Sequence, residues 1–224
     1  MVKRLRIFNN FNIPKKYKKS IILIGNFDGL HSGHQKLFEL AKKYKTKYKS
    51  KVGVVTFDPI PKMFFNAKIK NYRISNFNQK VIYLKKFGVD FVINKKFDKN
   101  FSKISYYKFI KDILSKKLRS KFIFVSNNFR FGHKREGDVS QLKKYESDFG
   151  YNLINPAPLM KNKKIISSTV IRKLLEEGKL LKANTYLKRN WEIEGKVQRG
   201  RMVGQKIGFP TCNIDIGNYV VAKP

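Results

Sequence analysis

Apolar positions along this chain follow two rhythms. Short runs of branched and aromatic residues alternate with stretches in which apolar residues recur every three or four positions. Ser20–Phe27, rich in isoleucine, predicts a buried strand, and Val52–Phe57, Val89–Ile93, Phe122–Val125 and Tyr151–Ile154 predict four more. Between them, Leu37, Leu40/Ala41, Tyr44 and Tyr48 fall on one helical face. Val81, Leu84 and Phe87 keep step over Asn78–Phe87, with Gly88 as a stop. Tyr106, Phe109/Ile110, Ile113/Leu114 and Leu118 outline another amphipathic helix. Asp138 can cap a helix running to Phe149 and Gly150, and Ser168 can cap a last helical stretch to Leu187. Repeated β-α-β units with short connections predict an α/β fold: a parallel, Rossmann-like sheet with helices on both faces.

The rhythm changes near Lys188. From Trp191 onward, alternating Trp191, Ile193 and Val197 give way to Gly200, Gly204 and Gly208 with no helical period, the pattern of a β-rich unit opening. The chain is therefore divided into 1–187 and 188–224. The second part alone is too short for an independent core. No internal repeat or low-complexity segment interrupts either part.

Composition narrows the class. Of 224 residues, 42% are hydrophobic and 14% aromatic, enough for a packed core, which excludes a disordered basic tail. Cys212 is the lone cysteine, so no internal disulfide is available. The basic start Met1-Val2-Lys3-Arg4 leads into Asn9, Asn10, Asn12 and Pro14, where a signal peptide needs an apolar stretch. Apolar runs such as Ile21–Ile24 are far below the ~20 residues that cross a bilayer. A soluble, cytoplasmic protein without membrane partners is the expectation.

The formal net charge of +35 invites a nucleic-acid reading. Its make-up argues otherwise: 40 Lys against 10 Arg, spread along the chain, whereas bidentate phosphate and base recognition favours Arg. The densest run, Lys42–Lys51, lies at the end of a predicted helix, where the dipole favours cations. The charge reads as a solvated lysine surface that attracts small polyanions.

Candidate chemistry concentrates where the first strand hands over to a helix. Gly25-Asn26-Phe27-Asp28-Gly29-Leu30-His31-Ser32-Gly33-His34 holds two of the three histidines, three residues apart and so on one face of a first turn. Gly33 between them lets a ligand approach the backbone. Free helix N–H groups add to the imidazoles, a combination suited to a triphosphate. A surface pair or partial metal site is the plainer interpretation, but no cysteine or further histidine stands nearby. Ile166-Ser167-Ser168-Thr169-Val170-Ile171-Arg172 opens the last helix with three hydroxyls and an arginine, either an ordinary cap or a second phosphate cradle. His133 receives no role and is placed at the surface.

These residues resemble the bacterial bifunctional riboflavin kinase/FAD synthetase family. The first stretch is similar to its Gly-Asn-Phe-Asp-Gly and His-x-Gly-His signature. Phe57-Asp58-Pro59-Ile60-Pro61 resembles its turn after the second strand, and Asn128-Phe129-Arg130-Phe131-Gly132 with Arg135, Gly137 and Asp138 its flavin-side loop. Ser167-Ser168-Thr169 with Ile171 and Arg172 matches its second phosphate motif. Gly208-Phe209-Pro210-Thr211-Cys212-Asn213 resembles the opening of its kinase barrel.

The resemblance implies a nucleotidyltransferase domain at 1–187 and an N-terminal piece of a riboflavin kinase β-barrel at 188–224. It implies FMN adenylyltransferase activity: AMP passes from ATP to FMN, giving FAD and pyrophosphate. His31, His34 and Arg172 are the implied catalytic residues. Gly25, Asn26, Phe27, Asp28, Gly33, Ser167, Ser168 and Thr169 join them around ATP, and Pro59, Pro61, Asn128 and Arg130 take FMN. Mg²⁺ would travel with ATP without a dedicated protein cage. Gly208, Pro210, Thr211 and Asn213 form the kinase-like remnant, Thr211 and Asn213 as metal and phosphate contacts. The family's catalytic Glu has no counterpart here, so riboflavin phosphorylation is expected to be lost.

The chain departs from the family pattern at Ser126 (usually Gly), Ile165 (usually Arg, a phosphate contact that Lys163 or Lys164 could replace) and Gln205 (usually Arg). Two other readings remain open. One is a nucleotidyltransferase of the His-x-Gly-His superfamily with another acceptor. The other is a basic RNA-binding relative of the class I aminoacyl-tRNA synthetase fold.

Overall fold

A computed structural model describes residues 5–161, 164–200 and 203–222. Six parallel strands form the central sheet: β1 (Arg6–Phe8), β2 (Ile21–Ile24), β3 (Val52–Asp58), β4 (Phe91–Lys96), β5 (Phe122–Phe124) and β6 (Asn152–Ile154). Their order is β1-β4-β3-β2-β5-β6. This is the parallel α/β sheet that the periodicity predicts, in the nucleotidyltransferase-like arrangement that the resemblance implies. The edge strand β1 was not foreseen; it pairs in parallel with β4, Ile7 beside Val92. The chain winds outward from β2 through β3 to β4, then resumes on the other flank at β5. The topological switch point therefore lies at the carboxyl ends of β2 and β5, where open α/β sheets place ligands.

Every residue of β2 is buried, because both sheet faces are covered. Its alternate side chains enter two cores. Ile21 and Leu23 pack beneath α1 (Ser32–Tyr48) and α2 (Phe77–Lys86), against Leu37, Phe38, Ala41 and Leu84. Ile22 and Ile24 face α3 (Phe109–Lys117), with Ile110, Ile113 and Leu114. Each such aliphatic side chain contributes about 1.5–3 kcal/mol. At Gly53 on β3 a Cβ would stand 2.2 Å from the Phe91 ring, so the close strand packing requires glycine there.

Two predicted helices are each split. The Asp138–Phe149 segment comprises α4 (Val139–Lys144), capped by the Asp138–Gln141 capping box, and a separate turn Glu146–Phe149. The last stretch breaks at Gly178, whose φ of +68° ends α5 (Ser168–Glu176) before α6 (Leu180–Leu187) begins. Apolar periodicity continues through both breaks and hides them.

Two short antiparallel ribbons complete the fold: β7 (Met160–Lys161) with β8 (Lys164–Ile165), and β9 (Val197–Gln198) with β10 (Asn213–Ile214). The C-terminal part does not stand apart. Trp191 Nε1 donates to the Ile74 carbonyl across 2.8 Å, and the Tyr219 hydroxyl donates to Gln79 Oε1 across 2.8 Å. Val220 is fully buried with Ile74, Ile166, Ile171, Leu174 and Leu187 in a third core.

Candidate functional site

The loop from β2 to α1 makes its turn with three departures into left-handed backbone: Phe27 (φ +46°), Gly29 (φ +78°) and Leu30 (φ +40°). Such backbone is costly for non-glycine residues and persists where the surroundings hold it. Here those surroundings converge on Asp28. Its buried carboxylate accepts from the backbone N–H of Ile74 and Ser75 at 3.1 and 3.2 Å, and from Arg172 Nη2 at 2.7 Å. Ser75 Oγ in turn accepts from Gly29 N, and Ser168 Oγ donates to the Asp28 carbonyl across 2.9 Å. The starts of α1 and α5, more than 130 residues apart in sequence, are thereby locked together.

At the N-terminus of α1, His31 is the cap: its Nδ1 accepts from His34 N. The two rings lie stacked, 3.7 Å between centroids and 23° between planes. Phe27 closes one side, edge-on to His34 at 5.2 Å. A Cβ at Gly33 would stand 3.2 Å from the His31 ring, so glycine here also eases the stack. His31 is also buried rather than a surface residue. Burial pushes its pKa down to about 4; Asp28 pulls the other way, and Arg172 and Arg189 add smaller downward contributions. His34 is displaced well below its usual value by burial first, then by His31, Lys80 and Arg172. Both imidazoles are therefore neutral at pH 7.

Four buried side-chain polar atoms among the described residues have no hydrogen-bond partner: Asn26 Oδ1, Ser32 Oγ, His34 Nδ1 and Asn94 Oδ1. Three of them fall within the β2–α1 loop and the first turn of α1. Unsatisfied groups gathered at a switch point mark a place prepared for a polar ligand.

Opposite this loop, Ser167 caps α5 by accepting from Val170 N, and Thr169 is exposed. Arg172 is 7% exposed, its Nε donating to the Tyr72 carbonyl and its guanidinium lying 3.7 Å from the Tyr72 ring centroid. It is thus a tethered group with Nη1 left over, not a mobile arm. A cleft of about 410 Å³ opens here, lined by Lys62, Tyr72, Thr169, Arg172 and Lys173 among others. Ile165 in β8 is half exposed; Lys163 lies outside the described residues, as does the side chain of Lys164.

The other flank carries the β3 turn and the β5 loop. The Asp58–Pro59 peptide is cis, Asp58 is ion-paired with Arg73, and Pro61 starts the short helix Pro61–Phe65. Asn128 Oδ1 accepts from Ser126 Oγ at 2.9 Å, so the Ser126 departure supplies a contact of its own. Arg130 pairs with Asp138 at 2.7 Å. Phe131 is buried and Phe57 and Phe129 half-buried against the α3-side core. Gly132 and Gly137 let the loop ride over Tyr106, which a Cβ would meet at 2.6 and 2.5 Å. His133 is half-buried, with Nδ1 3.3 Å from the Ser102 carbonyl, rather than free at the surface. Gly208, Pro210, Thr211 and Asn213 are all exposed around the β9–β10 ribbon.

Sequence reasoning missed the residues that hold this site from beneath: Thr56, Tyr72, Ser75, Lys80 and Arg189. Arg189 donates to the Gly29 carbonyl at 2.8 Å and stacks on Tyr83. Lys80 carried a readable signal, since it stands one turn before Leu84 and two before Phe87 in the apolar stripe of its helix.

Among the described residues, no helix is long and apolar enough to cross a membrane, and no group of three His, Cys, Asp or Glu could hold a metal ion.

Comparison with known proteins agrees with this geometry. The FAD synthetase family model matches residues 13–170, more than half of the chain, and the riboflavin kinase family model matches 187–224. A bifunctional riboflavin kinase/FMN adenylyltransferase of Buchnera aphidicola subsp. Schizaphis graminum is 40% identical over 206 residues, covering 92% of this chain and 66% of the relative. The Escherichia coli K12 protein of the same description is 35% identical, covering 89% and 64%. The chain thus spans just under two thirds of the length of these relatives. A solved Streptococcus pneumoniae structure, described as a macrolide-efflux protein, superposes with a TM-score of 0.82 at 27% identity, covering 96% of this chain and 70% of that one. With its sheet order, its paired helix starts and a family model matched from residue 13 to residue 170, the chain belongs to the FAD synthetase family.

Proposed function

We propose that this chain transfers AMP from ATP to FMN, releasing pyrophosphate and FAD. One observation carries the reading: two helix N-termini and a stacked histidine pair are locked around one loop at the switch point, amid unsatisfied polar atoms. An FMN phosphate oxygen attacks the α-phosphorus of ATP, and the bond from that phosphorus to the β-phosphate oxygen breaks. Such a reaction needs alignment and charge neutralisation more than a covalent nucleophile.

His31 and His34 are assigned to the triphosphate, where their N–H groups and the α1 N-terminus stabilise charge developing on pyrophosphate. Gly25, Asn26, Phe27 and Asp28 shape the nucleotide side, Asp28 by holding the turn rather than by touching phosphate. Ser167, Ser168 and Thr169 offer hydroxyls from α5, and Arg172 presents its remaining donor. Mg²⁺ is assigned to the ATP phosphates; both Asp28 oxygens already accept protein hydrogen bonds, so they are not needed as its ligands. Pro59, Pro61, Asn128 and Arg130 are assigned to FMN on the opposite flank. Residues 1–187 are proposed as the adenylyltransferase unit, and 188–224, with Thr211 and Asn213, as the opening of a riboflavin kinase unit.

The test is incubation with ATP, Mg²⁺ and FMN, followed by chromatographic separation of the flavins. FAD appearing with stoichiometric pyrophosphate supports the reading; FMN left unchanged in the presence of active ATP binding refutes the choice of acceptor.

A further inference from the structure

Lys80 is one of the few charged side chains buried in this protein, at 3% exposure, and it lies at the site without belonging to any motif of it. It projects from α2 beneath the sheet end. Its Nζ donates to Thr56 Oγ1 at 3.3 Å, and the same hydroxyl donates to the Asn26 carbonyl at 3.3 Å. Lys80 is thus two hydrogen bonds from the backbone of the nucleotide-side turn.

The charge arithmetic around it does not close. The two carboxylates that act on Lys80 are Asp28 and Asp58. Asp28 is the ion-pair partner of Arg172, and Asp58 that of Arg73. Among the described residues Lys80 itself makes no ion pair. Arg189, the next cation, spends its donors on the carbonyls of Leu187 and Gly29 and, among the described residues, forms no ion pair either. A buried ammonium without a counter-charge is costly, and folding gains little from this one beyond a long bond to a threonine. Burial accordingly pulls its pKa down to about 8, which still leaves it mostly charged at pH 7. A hydrophobic side chain of the same length would fit the surrounding core at lower cost.

We propose that Lys80 is a positioning residue for polyphosphate: through Thr56 it steadies the Gly25–Asp28 turn, and its ammonium gives the site a positive charge that a bound triphosphate neutralises. The inference deepens the adenylyl-transfer reading and rests on it for the identity of the ligand. It requires only that a polyphosphate bind at the β2–α1 loop.

The experiment compares wild type with Lys80→Met by calorimetric titration of inorganic tripolyphosphate and of adenosine, alongside thermal unfolding. Loss of one nearby, poorly screened charge is expected to weaken tripolyphosphate roughly 10- to 100-fold. Adenosine, which carries no charge, should lose far less than tripolyphosphate, and the melting temperature should stay level or rise. Unchanged tripolyphosphate affinity overturns the proposal. So does an equal loss for adenosine, or a variant that fails to fold, since each makes Lys80 an ordinary structural residue. The outcome is separable from the reaction itself. A wild type that binds tripolyphosphate but makes no FAD sinks the adenylyl-transfer reading while the Lys80 comparison still decides.

Discussion

Arg172 donates to Asp28 Oδ2 across 2.7 Å, and this buried pair joins the N-terminal half of α5 to the loop after β2, 144 residues earlier. The pair is what makes one site out of two motifs. Neither group has a substitute: Asp28 also anchors the Ile74 and Ser75 amides, and Arg172 also holds the Tyr72 carbonyl. Replacing Asp28 by Asn leaves a buried guanidinium uncompensated, which costs about 3–5 kcal/mol. Urea unfolding of Asp28→Asn should show that loss with an unchanged m-value. A midpoint equal to wild type would mean that the pair is not a structural lock.

His34 is expected to behave in the opposite way. Its Nδ1 has no partner in the folded protein, so removal sacrifices no internal hydrogen bond. His34→Ala should keep a melting temperature near wild type and lower kcat for FAD formation by about 10²–10³, the usual scale for one lost transition-state donor. Steady-state kinetics with purified variant would decide. Wild-type turnover would remove His34 from the proposed triphosphate contacts.

The displaced histidines also set a pH dependence of stability. His31 has a folded pKa of about 4 against 6.5 unfolded, and His34 is displaced in the same direction. Between these values the unfolded chain binds more protons. The stabilisation is therefore complete above pH 6.5 and is lost as pH falls toward 4. Each unit of displacement corresponds to about 1.4 kcal/mol. A His31→Gln/His34→Gln variant should lose less stability than wild type between pH 7.5 and pH 5. Parallel melting curves at the two pH values would contradict the assignment of neutral, buried imidazoles.

Much of this was readable in the chain. The isoleucine run that becomes β2 and the His31–His34 spacing lead to the right sheet and the right end of it, because period and spacing are local properties. What escaped is what depends on distant partners. Asp28 looked like a turn residue, and only the fold shows it to be the buried counter-ion of Arg172. Gly33 reads as room for a ligand, and only the fold shows that the His31 ring lies against the same space. The short β1 is an edge strand that, among the described residues, pairs only with β4, so no apolar run announces it.

The loop after β5 offers a sharper test of the flavin side. Gly132 has φ of +78°, and a Cβ would come within 2.6 Å of the Tyr106 backbone nitrogen, which cannot move without disturbing the helix it begins. Gly132→Ala should therefore push the loop away from its seat, moving Asn128 and Arg130 with it. The expected result is a raised KM for FMN with KM for ATP unchanged, and a stability loss of about 1–3 kcal/mol. A rise in KM for ATP alone would place the loop on the wrong substrate.

The division of the chain at residue 188 follows the change in sequence pattern, but packing runs across it. Val220 is fully buried in the core built by α5 and α6, and Tyr219 reaches Gln79, which itself closes the capping box of α2. Arg73 N donates to the Asn218 carbonyl and Val220 N to the Arg73 carbonyl, a two-bond clamp on the segment that also supplies the Ile74 and Ser75 amides to Asp28. The C-terminal residues thereby brace the turn beside the site. Val220→Asp places a charge in an apolar cluster and should destabilise far more than Tyr219→Phe, which loses the hydroxyl's bonds to Gln79 and to Glu194 N at about 0.5–1.5 kcal/mol each. If residues 188–224 were merely tethered, both variants would melt with wild type. If they brace the first unit, Val220→Asp will lower its melting temperature and open the 195–218 region to protease before the central sheet is cut.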